Sequence, residues 1–374
     1  MRRVDVFHAL GDIDSRYVAE ASRYAPGEAA CAPERTATVK KRMITFALAA
    51  ALVLALGITA FAVWNIHAAR QQELRADLQI EESGVESYHE YDVPSAAGSG
   101  LTLLSTINDG EFQKVYVNVS PVGLDVIERF PGTVSFAWTL DGISLNGEEY
   151  WMVAGPRLKG GRSVSGYEEI RQAVLEDAYD EETETLTLEC HLSNEAIRQA
   201  QEARGRDSVL LTVTLWDHQA SADAGGGNVA EWLRSQESFG SVWVTPTDLE
   251  TRYIDFHGFR YQDEASGKTI SVIGLELSPT SAVWKFDYED AEKIHADRDQ
   301  GLLVEWGQIQ DRVSIDAMLV FSDGETFSTG GALRNYYENG TVNAYCSWEK
   351  TIDINSVTEI RLGDQVLWQA DQPE

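Results

Sequence analysis

Residues 113–122 read QKVYVNVSPV, in which Val115, Val117 and Val119 alternate with other side chains until a Ser-Pro pair ends the pattern. A period of two is typical of a β-strand, because successive side chains point to opposite faces of a sheet. Comparable stretches are TVSFAWTL from Thr133, ETLTLECHL from Glu184 and SVLLTVTLWD from Ser208. These stretches predict a mainly β chain.

The remaining sequence extends this pattern and adds short helices. Later strand candidates are SVWVTP, KTISVIGLELSP, AVWKFDYED, DAMLVFSDG, NAYCSWEK and VTEIRLGDQVLW, and tight turns are expected at Asp141-Gly142, Asp323-Gly324 and Asn339-Gly340. Helical insertions are expected at GYEEIRQAVLEDAYD from Gly166 and at NEAIRQAQEAR, with Ser193 as the cap and Gly205 as the end of the second. We therefore predict two Ig-like β-sandwich modules with helical insertions, at residues 101–250 and 251–374.

An uncharged run of 24 residues, Met43 to Ile66, precedes the β region. As a helix it would be about 36 Å long, which exceeds the roughly 30 Å hydrocarbon core of a bilayer. A cleaved signal peptide is the alternative, but its apolar region is normally shorter and closer to the N-terminus. The sequence predicts one transmembrane helix at 43–66, followed by a juxtamembrane helix and linker at 67–100.

The charges beside this run indicate its orientation. Lys40, Lys41 and Arg42 abut its N-terminal end, so residues 1–42 are predicted to lie in the cytoplasm and the C-terminal modules outside the cell membrane. Small residues recur every fourth position within the run, a spacing that favours a homodimer through the membrane helix but also arises by chance in an Ala-rich segment: Ala47, Ala51, Ala55 and Thr59.

The formal net charge of −30 disfavours nucleic-acid binding, which requires clustered Lys and Arg side chains, so we expect no nucleic-acid partner. Residues 1–42 carry eight basic and six acidic side chains, whereas residues 67–374 carry 22 basic and 54 acidic ones. The acidity therefore belongs to the predicted extracytoplasmic part, where the stretch at 177–184, DAYDEETE, is expected to be a solvated loop.

No catalytic, metal or cofactor motif is present in the sequence. The seven His residues form no HExxH pair, and neither a G-x-S-x-G elbow nor a phosphate-binding glycine loop occurs. We expect no enzyme activity, no metal and no cofactor. Cys190 and Cys346 both lie in strand candidates, and two alternatives remain open for them: a disulfide or two buried thiols.

The ten Trp residues allow two interpretations. Exposed rings could stack on sugars, whereas inward-facing rings would fill a sandwich core. Trp138, Trp243 and Trp284 fall within strand candidates, which favours the core interpretation for all three.

The N-terminal tail contains VFHALGDIDSRYVAEA at residues 6–21. Its spacing predicts two short amphipathic helices joined at Gly11-Asp12. Helices this short are marginal alone, so their apolar faces need a covering surface. Candidate contact residues are Phe7, Leu10, Ile13, Tyr17 and Val18.

A resemblance to a known family rests on residues of the tail and on three later stretches. The tail residues are Phe7, Ala9, Leu10, Gly11, Ile13, Asp14, Tyr17, Glu20 and Ala21, and the stretches are ELSP from Glu276, FSDGETFSTG from Phe321 and IDINSVTEIRLGD from Ile352. The chain resembles single-pass membrane proteins of Gram-positive bacteria (Firmicutes) that have an extracytoplasmic β domain of unknown function. These are similar to membrane-bound anti-sigma factors. The resemblance implies that the tail docks a cytoplasmic sigma factor through the five contact residues of the tail. Better understood anti-sigma factors have a zinc-binding His-x-x-x-Cys-x-x-Cys motif. This chain lacks that motif in its tail, because His8 and Cys31 are far apart in the sequence.

Two functional hypotheses follow. The first is a membrane signalling protein whose ectodomain senses an extracytoplasmic ligand and whose tail binds a sigma factor. The alternative is a surface-anchored binding or scaffold protein that contacts cell-wall polymer or carbohydrate.

Overall fold

The computed structural model describes residues 64–91, 100–145, 148–162, 164–224, 229–262, 269–287, 317–330, 334–338, 341–348 and 350–370. The predicted tail, with Phe7, Leu10, Ile13, Tyr17 and Val18, lies outside these residues, as do the span residues Ala47, Ala51, Ala55 and Thr59. Of the predicted span 43–66, only residues 64–66 are described. Among the described residues, no helix has the length and hydropathy needed to cross a membrane.

The described chain begins with a helix, α1, at residues 64–78. Gln79 adopts a left-handed conformation with φ of 59°, which separates α1 from the short helix α2, Ile80–Ser83. Leu74, Leu78 and Ile80 are buried in a small hydrophobic cluster with Leu104, Ile107 and Tyr116 of the first β module. These contacts place α1 and α2 against one face of the module. We define the first module as residues 88–244 and the second as residues 252–369.

In the first module, the described residues form one sheet of nine strands, and every strand pair is antiparallel. The strands are β1 Tyr88–Glu90, β2 Leu101–Asn108, β3 Phe112–Val119, β4 Val134–Leu145, β5 Glu148–Pro156, β6 Tyr179–Asp180, β7 Thr185–Ser193, β8 Val209–Asp217 and β9 Ser238–Val244. Their order is β1-β2-β3-β7-β5-β4-β8-β9, and β6 pairs with β7.

The sheet curves around a single hydrophobic core. Gly155 and Pro156 of β5 pair with β7, so the half of the sheet with β4, β8 and β9 is joined to the half with β2 and β3. A Cβ atom on Gly100 would lie 2.5 Å from the Ser120 carbonyl oxygen and 2.7 Å from that of Phe239. Only glycine fits here, where the start of β2 passes between β3 and β9.

The described residues of the first module also include five α-helices. They are α3 Leu124–Arg129, α4 Tyr167–Ala173, α5 Asn194–Arg204, α6 His218–Asp223 and α7 Val229–Ser235, and a π-helical turn, Val174–Ala178, follows α4. The two predicted helical insertions correspond to α4 and α5. Gly205 ends α5 with φ of 61° as expected, but the Ser193 side chain makes no capping hydrogen bond.

The second module consists of two sheets in the described residues. One has five strands in the order β10-β11-β12-β16-β15, and the other has four in the order β14-β13-β17-β18. Their bounds are β10 Arg252–Gln262, β11 Thr269–Ser278, β12 Ser281–Asp287, β13 Ala317–Phe321, β14 Thr326–Ser328, β15 Arg334–Glu338, β16 Thr341–Ser347, β17 Val357–Leu362 and β18 Gln365–Gln369. Residues from both sheets share one hydrophobic core around Trp284, which is 0% exposed.

Strand β10 is interrupted by a bulge. Its pairing with β11 shifts register between Asp255 and Phe259. Within the bulge, His257 and Gly258 have positive φ angles of 53° and 75°. The bulged residues bend the strand between its two paired segments.

The prediction of a mainly β chain is confirmed, and each strand candidate coincides with an observed strand. The expected turn at Asp141-Gly142 is wrong, because β4 continues to Leu145 and a register shift between Thr139 and Ser144 takes up the extra residues. The turn at Asp323-Gly324 is present, with Gly324 at φ of 87°. The segment 67–100 contains β1 as well as helix.

Candidate functional site

The β2–β3 turn carries a buried carboxylate, Asp109, which contacts the second module. Asp109 Oδ1 accepts hydrogen bonds from the backbone N–H groups of Glu111 at 3.1 Å and Phe112 at 2.7 Å, and these bonds close the turn. Asp109 Oδ2 accepts a hydrogen bond of 2.7 Å from the Tyr345 hydroxyl on β16. Ser281 at the start of β12 donates to the Asp109 carbonyl oxygen. One residue of the first module thus fixes two strands of the second.

Lys114 on β3 reaches into the same junction. Its side chain is 1% exposed, and Nζ donates to Ser347 Oγ at 2.9 Å and to the Trp348 carbonyl oxygen at 3.0 Å. Nζ also lies 4.0 Å from Asp109 Oδ2. Lysine is rarely buried unless its charge is compensated. Here Asp109 supplies the opposite charge, and Ser347 Oγ and the Trp348 carbonyl oxygen accept hydrogen bonds from the ammonium group.

Burial and the negative charge of Asp109 raise the pKa of the Tyr345 hydroxyl. Tyr345 therefore remains a neutral donor to Asp109 across the physiological pH range.

A cleft of about 670 Å³ opens between the two modules beside this buried cluster. The β2–β3 turn and the start of α5 form one wall, and strands β11, β12 and β16 form the other. Its polar lining includes Glu111, Ser193, Asn194, Glu195, Glu276, Ser278, Lys285 and Asn343. Lys285 Nζ pairs with Glu276 at 2.8 Å, and the described lining residues include neither His nor Cys. This lining favours binding of a polar ligand through carboxylates, hydroxyls and amides.

Asn194 holds the cleft wall within the first module together. Its Nδ2 atom donates to Asn108 Oδ1 and to the Gly110 carbonyl oxygen, each at 3.0 Å. The start of α5 is therefore tied to the same turn that carries Asp109.

Helix α1 is held to the first module by ion pairs. Asp77 pairs with Arg157 at 2.6 Å, and its second oxygen accepts a hydrogen bond of 2.6 Å from the Gly160 N–H. Glu73 pairs with Lys159 and Arg70 with Asp180, each at 2.5 Å. Asp180 belongs to the stretch 177–184, for which the prediction of a solvated loop is confirmed for the turn at 181–184 and wrong for Tyr179–Asp180, which form β6.

The C-terminal end of α1 also contacts the second module. The Leu78 carbonyl oxygen accepts hydrogen bonds from the Thr351 N–H at 2.7 Å and from Thr351 Oγ1 at 2.6 Å. Ser83 Oγ lies 2.6 Å from the same hydroxyl. The helix that follows the predicted membrane span in sequence is therefore fixed to both modules.

Glu189 on β7 connects these two regions. Its side chain is 8% exposed, lies 3.6 Å from Arg157 and 2.5 Å from the His191 ring. Burial alone would raise the pKa of Glu189, but His191, Lys114 and Arg157 outweigh that effect and lower it. Opposite charges consequently continue from Asp77 through Arg157, Glu189 and Lys114 to Asp109.

Sequence reasoning missed this chain of buried charges. Each member stands singly in a strand, a turn or a helix, and only Asp109 and Lys114 are close together in the sequence. Lys114 gave no signal in the sequence, because a charged side chain on the face opposite Val115 and Val117 is expected of a half-exposed strand. Its depth of burial becomes evident only when the second module covers it.

Cys190 and Cys346 are both buried thiols in the structure and form no disulfide. Cys190 belongs to the core of the first module and Cys346 to that of the second. Of the two alternatives, the structure therefore has two buried thiols. Burial, and secondarily the charge of Glu189, raises the pKa of Cys190. Among the described residues, no group of three or more His, Cys, Asp or Glu side chains could hold a metal ion.

Comparisons with known proteins provide little further information. No protein-family model matches the chain, and no curated protein is similar to it. A solved structure described as "The crystal structure of the conserved domain protein from Bacillus anthracis" aligns with 74% of this chain and 76% of its own. The sequence identity is 10% and the TM-score is 0.29, so this similarity carries no argument about fold or function.

Proposed function

We propose that the protein is a single-pass membrane regulator of the anti-sigma-factor type. In this proposal the tail at 1–42 binds a cytoplasmic sigma factor, residues 43–66 cross the cell membrane, and two Ig-like β modules bind an extracytoplasmic ligand. Ala47, Ala51, Ala55 and Thr59 would form a dimer contact between two membrane helices. No catalytic role is proposed for either module.

The attachment of α1 to both modules supports this proposal. A protein that only displays a binding domain needs no more than a flexible linker between membrane and domain. Here the segment after the predicted span is a helix held by Asp77, Glu73 and Arg70 on one module and by Leu78 on the other. A rearrangement between the modules would therefore change the contacts that hold α1.

The cleft beside Asp109 is the proposed ligand site. Occupation of the cleft would act on the β2–β3 turn, and from there on Lys114, Glu189 and Arg157. A ligand shifts such an equilibrium only if it binds one arrangement of the modules more tightly than the other. A ligand in the cleft can make this distinction, because the two walls of the cleft belong to different modules.

The test is a capture experiment with the full-length protein from native membranes. A Phe7→Asp, Tyr17→Asp double variant places charges on both predicted apolar faces of the tail. The matched control, Ser15→Asp with Ser22→Asp, adds the same charge on the opposite side of the predicted second helix. We expect wild type and the control to capture a sigma factor, identified by mass spectrometry, and the double variant to lose it.

A second readout tests the coupling through α1. Asp77→Asn removes the charge that pairs with Arg157 while the tail stays intact. We expect sigma-factor capture to persist, while transcription from the promoters of that sigma factor no longer responds to the outside signal. If no variant changes the set of captured proteins, the tail has no such partner, and a surface-anchored binding or scaffold protein is the remaining hypothesis.

A further inference from the structure

A second concave surface lies on the outer face of the first module. It is a groove of about 200 Å³ between strands β4 and β8 and the end of α7. Hydroxyl groups line it on three strands: Thr139, Thr212, Thr214 and Ser238. Thr212 Oγ1 lies 2.7 Å from Ser241 Oγ on β9, which extends the row of hydroxyls beyond the groove.

An exposed indole stands beside this groove. Trp243 is 41% exposed, so its assignment to the core from sequence is wrong, whereas Trp138 and Trp284 are buried as predicted. Trp243 pairs directly with Leu210 across β8 and β9, and Leu210 lines the groove. Directly opposite residues of an antiparallel pair point to the same face with Cβ atoms about 5 Å apart. The indole therefore borders the row of hydroxyls.

Charged groups at the groove are already oriented. The Arg206 guanidinium carbon lies 5.0 Å from the centre of the Trp243 ring, which restrains the indole through a cation–π contact. Asp141 also lines the groove, one residue past the Leu140–Leu211 pair of β4 and β8, and Arg204 donates to its carboxylate. The pairing leaves the carboxylate able to accept further hydrogen bonds.

We infer that this groove binds one pyranose ring of a neutral polysaccharide. A pyranose has an apolar C–H face, which stacks on an indole, and equatorial hydroxyls, which exchange hydrogen bonds with threonine, serine and carboxylate groups. Trp243 supplies the stacking surface, Thr139, Thr212 and Ser238 supply hydroxyls, and Asp141 accepts from a sugar hydroxyl. An anionic polymer is disfavoured because the chain carries a net charge of −30.

The inference concerns a site separate from the cleft beside Asp109, and it does not depend on a sigma factor. The size of the groove is below that of drug-sized pockets, which suits a single ring of a longer chain. The remaining rings of the polymer would lie across the module surface.

The test is isothermal titration calorimetry with the full-length protein. The detergent must have no sugar head group, because a glycoside would compete for the groove. The probes are cellohexaose and the β-1,4-linked hexamer of N-acetylglucosamine, with tetragalacturonate as the anionic comparison. We expect wild type to bind at least one neutral hexamer and to bind tetragalacturonate more weakly.

Variants then assign the binding to the groove. Trp243→Ala is expected to weaken binding about tenfold, and Thr212→Val, which keeps the side-chain shape but removes a hydroxyl, about fivefold. Tyr167→Ala removes an aromatic side chain that is 69% exposed elsewhere on the module and should leave affinity unchanged. Glu276→Gln in the cleft should also have no effect.

Three results would overturn the inference. They are no binding of either neutral hexamer by wild type, unchanged affinity in both Trp243→Ala and Thr212→Val, or an equal loss in Tyr167→Ala. Sugar binding without capture of a sigma factor would support the inference about the groove and refute only the regulatory proposal. The reverse outcome would refute only the groove.

Discussion

Replacement of Lys114 by Met tests whether the buried charges hold the two modules together. Met has a similar length but no charge and no N–H donors, so the substitution removes the hydrogen bonds to Ser347 and Trp348 and leaves Asp109 without its cation. At 4.0 Å and an effective dielectric constant of about 20, the lost attraction is about 4 kcal/mol. Removing one partner of a buried pair typically costs about 3–5 kcal/mol.

We therefore expect Lys114→Met to lower the free energy of unfolding by about 3–5 kcal/mol. For a chain of 374 residues, whose unfolding entropy is about 0.8 kcal/mol/K, that corresponds to a decrease in Tm of about 4–6 °C. The measurement is urea unfolding of the full-length protein, followed by tryptophan fluorescence. Lys159→Met is the matched control, because Lys159 pairs with Glu73 but is 49% exposed, and it should cost less than about 1 kcal/mol.

The double variant Lys114→Met, Asp109→Asn separates charge from packing. If the cost arises from an uncompensated buried carboxylate, neutralising Asp109 as well should make the double variant less destabilised than the sum of the two single variants, by about 1–3 kcal/mol. Additive losses, or a cost for Lys114→Met no larger than that for Lys159→Met, would refute this reasoning.

Three further predictions follow from buried groups. Because the pKa of Glu189 is lowered in the folded protein, its ionised side chain contributes its full stabilisation above the unfolded pKa of 4.5, and this contribution is lost as the pH falls below that value. The difference in Tm between wild type and Glu189→Gln should therefore become smaller in acid. Trp284→Ala should lower the free energy of unfolding in urea by about 3–5 kcal/mol, and Trp243→Ala by less than about 1 kcal/mol, because the first ring is buried and the second exposed. Equal losses for the two variants would contradict this difference in burial. Cys190 and Cys346 should react with a maleimide only after unfolding, and this reaction should need no reductant. If the two thiols react in denaturant only after a reductant is added, they form a disulfide.

The strand pattern was predictable from sequence where one face of a strand meets a core. Val115, Val117 and Val119 of QKVYVNVSPV belong to the first core, as their alternation indicates. The other face of the same strand is covered too, Tyr116 by α1 and Lys114 by the second module. Local alternation carries no information about such distant covering surfaces, so the buried charges remained hidden.

The direction of side chains was less predictable in β9. Val242 and Val244 point into the core, and Trp243 between them must therefore point outward. In the short sequence SVWV, bulky apolar side chains occupy both odd and even positions, so the pattern does not indicate which face of the strand points into the core. The groove on the outer face could not be anticipated for the same reason, because it depends on which neighbours lie beside Trp243.

The bulge in β10 has a consequence for the behaviour of the protein among other copies of itself. Among the described strands, β10 pairs with a neighbour on one side only, and it has 11 residues. The unpaired edge of a strand this long is a template to which another chain can add a strand. His257 and Gly258 interrupt this row in its middle, and Arg252, Asp255 and Arg260 add charges along it. A bulge of this kind makes a strand edge a poorer template for intermolecular β-pairing, and hence for aggregation.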